Sequence, residues 1–487
     1  NRQSILMRYF LGIDQGSQSS RAVLFNSNGE AIEQVAEKTA LHRPGEGRAE
    51  YDAEQIRLSV EQLLADLLKR VDRNTKISAC GIATQRSTVL AWDLNGAALS
   101  PALSWQDVRA QGLIAELRHH EQAIRRLTGL PLTPYYSASK MNWLLRHSDS
   151  VKQCSRDQLR LSPLVSYLLF HLLDTKPYVI DYSNAQRTQL LELDNLTWSD
   201  RLCNWFDIDK NCLPACKPMC ADYGNLATFG IPVKAVCGDQ NAAMFGIGRL
   251  APGVALVNIG TGAFILRQLD RYAQSQDQLT GIAYADRRTV SFMREATVNG
   301  AGNALNWAEQ SWGIENLVAR LPVWLQRVTE PPVFINAIGG LGTPWLRGDI
   351  NSAFVARGDY TDAEKAVAVI ESIVFLIMIN LAIMAEEAPL KLLTVTGGLA
   401  RLDALCQKLS DLSGYVVSRT EVAEASARGV AWLAAGRPAG WSIEEAGDAA
   451  GKRFLPGRDQ ALERRYRIFK ESLQGRLASD RCSGPER

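Results

Sequence analysis

An apolar run broken by a small, polar turn occurs twice along the chain, about half its length apart. Residues 9–14 are mostly apolar, Gln15-Gly16-Ser17-Gln18-Ser19-Ser20 is polar, and residues 22–25 are apolar again. In the second half, residues 254–259 run into Gly260-Thr261-Gly262 and out through Ala263-Phe264-Ile265-Leu266. Each pattern predicts two strands joined by a glycine turn. After the first pair, Asn26-Ser27-Asn28-Gly29 predicts a hairpin into a third strand over 31–40. Asp52 is placed to cap a helix carrying Ile56, Val60, Leu63, Leu64, Leu67 and Val71 at helical spacing. Residues 77–83 read as a strand parallel to the first.

The second half repeats this order, with a long helix over 363–387 and a strand over 392–396 ending in Gly397-Gly398. A repeated order implies duplication, hence an α/β fold of two related lobes facing across a cleft. We place the first domain at 1–238 and the second at 239–487, the latter ending in a basic helical tail from about 440. Residues 366–385 are apolar enough to raise a membrane span. Glu371, Ser372 and Asn380 interrupt them, which favours a helix buried inside the second lobe.

Composition narrows the partner. The chain has 487 residues, 46% hydrophobic and 22% charged, as expected of a soluble globular protein. Its net charge of +2 offers no electrostatic case for nucleic acid or an anionic membrane, so a small molecule is expected. Nine cysteines, an odd number, read as free thiols of a cytoplasmic protein. Cys203, Cys212, Cys216 and Cys220 cluster in sequence, but their spacing fits no common zinc knuckle. The residues before Met7 read as an addition, and no secretory leader pattern follows them.

Glycine turns let a backbone approach a phosphate chain closely, so two of them facing each other would grip a nucleoside triphosphate from both sides. Asp239 follows a glycine at the inferred lobe junction, where a carboxylate can take a proton from an attacking hydroxyl. Asp14 ends the first strand, where a carboxylate beside phosphates suits Mg²⁺.

Several motifs in order along nearly the whole chain resemble the FGGY carbohydrate kinases, and among them most closely the members that phosphorylate glycerol. They are the run from Gly12 through Asp14-Gln15-Gly16-Ser17 to Val23, Thr84-Gln85-Arg86, Trp105-Gln106, residues 135–143, Asp181-Tyr182-Ser183-Asn184-Ala185, and residues 238–246. The resemblance implies the two-lobed actin-like, hexokinase-like (ribonuclease H-like) ATPase fold. It implies ATP-dependent phosphorylation of a small polyol or sugar, glycerol or a glycerol-like polyol first, with ATP and Mg²⁺, by a homodimer.

By the same resemblance Asp239 is the catalytic base, and Asp14 with Asp239 serves the metal. Gly16, Ser17, Gln18, Arg21, Gly260, Thr261, Gly262, Gly302, Asn306, Gly397 and Gly398 would bind ATP. Arg86, Ser87, Trp105, Tyr135, Asp239, Gln240 and Phe264 would bind the acceptor. In that role Arg86 is expected to offer forked donors to adjacent hydroxyl oxygens.

Three positions depart from the pattern. Ser87 stands where the glycerol-phosphorylating members have a glutamate, and a lost charged acceptor in a buried site costs about 1.5–3 kcal/mol. Gln18 replaces a small hydroxyl residue, and Leu402 replaces an asparagine beside the adenine. The segment 221–236 also lacks the glycine-rich effector loop of bacterial relatives, so inhibition by fructose-1,6-bisphosphate through it is not expected. Two other readings stay open: a kinase of ribulose or xylulose, and an actin-like nucleotide-binding module without sugar kinase activity.

Overall fold

The computed structural model describes residues 8–72, 75–420, 422, 424–441 and 451–482. Met7 and the residues before it, and part of the tail expected from about 440, lie outside that set. Strands β1 (Tyr9–Gln15), β2 (Ser19–Phe25) and β3 (Ala31–Lys38) form an antiparallel meander. β4 (Ile77–Thr84) and β5 (Val233–Gly238) extend it in parallel, giving the order β5-β4-β1-β2-β3. Asp52 caps the helix Ala53–Arg70 by accepting from the N–H groups of Glu54 and Gln55. That helix buries Ile56, Val60, Leu63, Leu64 and Leu67 of the six residues its spacing singled out, and the sixth, Val71, is the half-buried C-cap just beyond it.

The second sheet repeats the motif. β6 (Val254–Ile259) and β7 (Ala263–Leu269) flank the second glycine turn, followed by β8 (Leu279–Ala285) and β9 (Val290–Val298). β10 (Leu392–Thr396), β11 (Val416–Arg419) and β12 (Lys452–Phe454) complete the order β8-β9-β7-β6-β10-β11-β12. As β4 runs parallel to β1, so β10 runs parallel to β6. The two halves therefore share one plan, enlarged in the second by an extra strand at each edge, β8 and β12.

The long apolar helix spans Asp362–Glu387 and starts with a capping box between Thr361 and Glu364. Its most apolar stretch is 83% buried inside the protein. Glu371 interrupts the run because it is an ion-pair partner, with Arg465 Nε at 2.7 Å and Lys408 Nζ at 2.8 Å. Arg465 belongs to the tail helix Gln460–Cys482, which also buries Leu462, Phe469 and Leu473 in the second core.

Two helices beyond residue 238, Asp239–Met244 and Ala425–Ala434, pack against the first sheet and each other. The second approaches so closely that a Cβ at Gly12 would lie 2.1 Å from the Ala427 carbonyl oxygen. A smaller four-stranded sheet of Glu50–Tyr51, Ala102–Leu103, Val89–Asp93 and Leu159–Pro163 is added to the first lobe.

Candidate active site

Strands β1, β4 and β5 end level with one another, since Gln15 and Gly238 both register with Thr84. Asp14 lies at the end of the first, Arg86 just beyond the second, and Asp239 just beyond the third. Carboxyl ends of parallel strands are where α/β folds place ligands. Asp239 opens the helix Asp239–Met244 and accepts the Gln240 N–H at 2.7 Å. Its Oδ1 is 3.7 Å from Arg86 Nε, and its side chain keeps 23% exposure, so a reactant can reach it. Burial raises the Asp239 pKa, against the pull of the Arg86 charge.

Asp14 is pushed up to about 7, first by burial and then by repulsion from Asp239. Its Oδ1 is buried without a hydrogen-bond partner. Arg21, opposite Asp14 in the ladder, forms an ion pair with Glu424 at 3.0 Å.

The Asp181 motif has a local purpose. Asp181 caps the short helix Tyr182–Gln186, and Ser183 Oγ accepts the Gly238 N–H at 2.9 Å, pinning the turn that presents Asp239. A side chain at 238 would stand 2.6 Å from Arg86 Cδ, so glycine lets the arginine cross beneath the turn.

The acceptor wall differs from the expected arrangement. Arg86 donates through Nη1 and Nη2 to the two oxygens of Glu295, at 3.0 and 2.9 Å. Arg187 Nη2 donates to the same carboxylate at 2.6 Å. The fork of Arg86 is thus engaged by Glu295, a residue of β9 that is 1% exposed, and it turns Nε toward Asp239. Burial alone would raise the Glu295 pKa, but Arg187 and Arg86 outweigh it and hold the group down at about 2.

Ser87 is 5% exposed, has a left-handed backbone with φ 65°, and donates to the Arg187 carbonyl at 3.2 Å. Trp105 is partly exposed and its Nε1–H donates to Ser17 Oγ at 2.9 Å, joining the acceptor wall to the first glycine turn. Gln240 presents a buried Oε1 with no hydrogen-bond partner. Phe264 pairs with Thr297, which lies two residues from Glu295, so the pleat puts Phe264 and Glu295 on one face.

Tyr135 is exposed, and its carbonyl accepts from buried Lys140 at 2.6 Å. The phenol within electrostatic reach of Arg187, Glu295 and Arg86 is that of Tyr136, which is 8% exposed.

On the nucleotide side, the leading glycine of each turn donates its N–H inside the turn, Gly16 to Ser19 O and Gly260 to Gly262 O, both at 2.9 Å. These two N–H groups shape the bends and are not the donors that face outward. The Gly302 N–H donates to Gly260 O at 2.9 Å, and the Asn303 N–H to Thr261 O at 3.0 Å. Gly397 has φ +95°, and a Cβ there would lie 2.5 Å from the Ile259 carbonyl oxygen. Gly260, Thr261, Gly262, Gly302 and Gly397 therefore meet at the ends of β6 and β10. Asn306 lies one helical turn after Gly302 and is exposed, as are Gly397, Gly398 and the Gln18 side chain.

Other features fall elsewhere. A cavity of about 710 Å³ lies against β3 and the helix Ala53–Arg70, lined by Glu37, Asp52, Glu61, His171 and Phe229 among others. The four clustered cysteines divide between two apolar clusters, Cys203 and Cys212 in one and Cys216 and Cys220 against the other.

Glu295 and Arg187 escaped the sequence reading, and Tyr136 and Ser183 stood in its motifs without a role of their own. One signal was available for the first: an acid in mid-strand between Arg294 and Ala296, where an unpaired charge would be costly.

Two twisted sheets built on one plan, each with a glycine turn at its ligand end, define a two-domain α/β protein of the actin-like ATPase class. Residues 9–246 match the sequence model of the FGGY carbohydrate kinase N-terminal domain, and residues 255–436 that of the C-terminal domain. The chain belongs to the FGGY family of carbohydrate kinases and is a carbohydrate or polyol kinase. It is similar to the glycerol kinase of Oceanobacillus iheyensis, with 32% identity over 90% of this chain and 91% of the relative. It is also similar to that of Geobacter sp., with 34% identity over 88% and 90%. The fold is that of Plasmodium falciparum glycerol kinase solved with ADP, at TM-score 0.87 and 23% identity, covering 98% of this chain and 99% of that one.

Proposed function

We propose that the protein transfers the γ-phosphoryl group of ATP to a hydroxyl of glycerol or a glycerol-like polyol. The observation that carries this is the meeting of Asp14, Arg86 and Asp239 at the ends of three adjacent parallel strands. Asp239 takes the hydroxyl proton as the oxygen–phosphorus bond forms, and its partly exposed side chain leaves room for the alcohol. Arg86 offsets the charge beside it. The unpartnered Oε1 of Gln240 can accept from a second hydroxyl, and Trp105 with Phe264 covers the C–H face of a polyol.

Ser17, Gln18, Thr261 and Gly262 are the turn residues left to contact phosphates, with Gly302, Asn306, Gly397 and Gly398 toward the nucleoside. Asp14 and Asp239 would hold Mg²⁺, which neutralises phosphate charge when bound; the buried, unpartnered oxygen of Asp14 fits that role. Arg21 can serve phosphates only by sharing its charge with Glu424. The family resemblance further supports a cytoplasmic homodimer.

Ser87 favours a second reading, a kinase of ribulose or xylulose, because no carboxylate stands at that wall position. An ADP-release assay across glycerol, erythritol, ribitol, xylulose and ribulose decides. The highest kcat/KM on glycerol or erythritol supports the first reading, and the highest on a pentulose supports the second. No turnover on any of them, with ATP hydrolysis tied to self-assembly, would favour the nucleotide-binding module instead.

A further inference from the structure

Glu295 lies in the second sheet, 209 residues from Arg86, and is almost completely enclosed. At 1% exposure it is closed to an acceptor, and both of its oxygens receive guanidinium donors. Its effect must pass through Arg86. Two parallel N–H···O bonds fix a guanidinium plane in direction as well as place. With Nη1 and Nη2 held on Glu295, the remaining edge of Arg86 faces Asp239.

Arg187 fixes the carboxylate from its other side, and its carbonyl holds the hydroxyl of Ser87. The chain thus runs from β9 of one lobe through Glu295 to the acceptor wall of the other.

We propose that Glu295 is a positioning residue for the acceptor site, orienting Arg86 from the opposite lobe so that the arginine can meet substrate beside Asp239. This rests on the reading of Arg86 as an acceptor-binding residue. It is separate from any role in the nucleotide pocket, since Glu295 bonds to none of Gly260, Thr261, Gly262, Gly302 or Gly397.

The experiment measures steady-state kinetics of Glu295→Asp and Glu295→Gln with the best acceptor of the native enzyme. Both keep an oxygen acceptor, but Asp is one methylene too short for the two-pronged contact, and Gln offers only one oxygen. We expect the acceptor KM to rise at least tenfold in Glu295→Gln and at least threefold in Glu295→Asp, with the ATP KM changed less than twofold. A residue that merely supports the fold would lower the active fraction and leave both KM values in place.

An acceptor KM within 1.5-fold of native in folded Glu295→Asp overturns the proposal, and that variant decides the matter if Glu295→Gln does not fold. If the native enzyme turns over no polyol or sugar, the acceptor-site reading fails and this proposal fails with it. Turnover by the native enzyme with unmoved KM values removes the role of Glu295 alone.

Discussion

The two glycine turns share strand order and shape but not surroundings. Around the first turn stand five charged groups from different elements: Asp14, Arg21, Arg86, Asp239 and Glu424. Around the second, the neighbours are backbone: Gly302 and Asn303 donate to turn carbonyls, and Gly397 lies against Ile259. Duplication supplied one scaffold twice, and the two copies took up different tasks. On the proposed function, the first serves charge and proton transfer and the second the close approach of a flat or extended ligand.

The largest effect should come from removing the carboxylate at the first turn. Asp239→Asn keeps size and one acceptor but cannot take a proton, so kcat should fall by about 10³-fold. ATP affinity, read by fluorescent-nucleotide displacement, should change by less than about threefold. A variant that retains more than a tenth of native kcat would show that the charged copy is not where the chemistry occurs.

At the second turn the decisive quantity is space. Gly397→Ala places a methyl group 2.5 Å from a carbonyl oxygen at a backbone angle only glycine adopts easily. The ATP KM should rise by about tenfold and stability should fall by about 1–3 kcal/mol, with the acceptor KM unchanged. If the acceptor KM rises and the ATP KM does not, the assignment of the two copies is reversed.

This contrast also explains what could be read from the chain. Glycine turns, the apolar periodicity of the Ala53–Arg70 helix and the long helix Asp362–Glu387 are local patterns, and local patterns survive in sequence. The pairing of Arg86 with Glu295 spans 209 residues and depends on how two sheets face each other. Nothing near Arg86 announces it. The same limit applies to Tyr136: neighbouring residues on a loop point in different directions, and only packing selects which phenol faces the charges. The isolated motif gave Arg86 a fork aimed at the acceptor; in the structure that fork is turned onto Glu295, because a buried guanidinium seeks a carboxylate wherever the fold supplies one.

A third test sharpens the charged side of the comparison through acid stability. The folded-state pKa of Glu295, about 2, lies below its ordinary 4.5. Its contribution is therefore complete above pH 4.5 and is lost as pH falls from 4.5 toward 2. In urea titrations, the stability difference between native protein and Glu295→Gln should shrink by about 1.4 kcal/mol per pH unit below pH 4.5. A difference that stays constant between pH 5.5 and 3.5 would mean that the carboxylate is not held ionised by Arg187 and Arg86.

A smaller predicted effect concerns a bond that joins the first turn to the acceptor wall, Trp105 Nε1–H to Ser17 Oγ at 2.9 Å. Trp105→Phe keeps an aromatic face and deletes the donor. A neutral, partly exposed hydrogen bond is worth about 1 kcal/mol, so kcat/KM for the acceptor should fall about fivefold. Because Ser17 is also a turn residue on the nucleotide side, the ATP KM should move in the same direction by a smaller factor. Among the described residues no tryptophan tethers the second turn in this way: its hydroxyl residue, Thr261, is exposed and its carbonyl accepts from a backbone N–H. Thr261→Ser should therefore leave the acceptor kcat/KM within about twofold. Equal losses in the two variants would mean that the tether contributes nothing specific, and that the turns differ in charge alone.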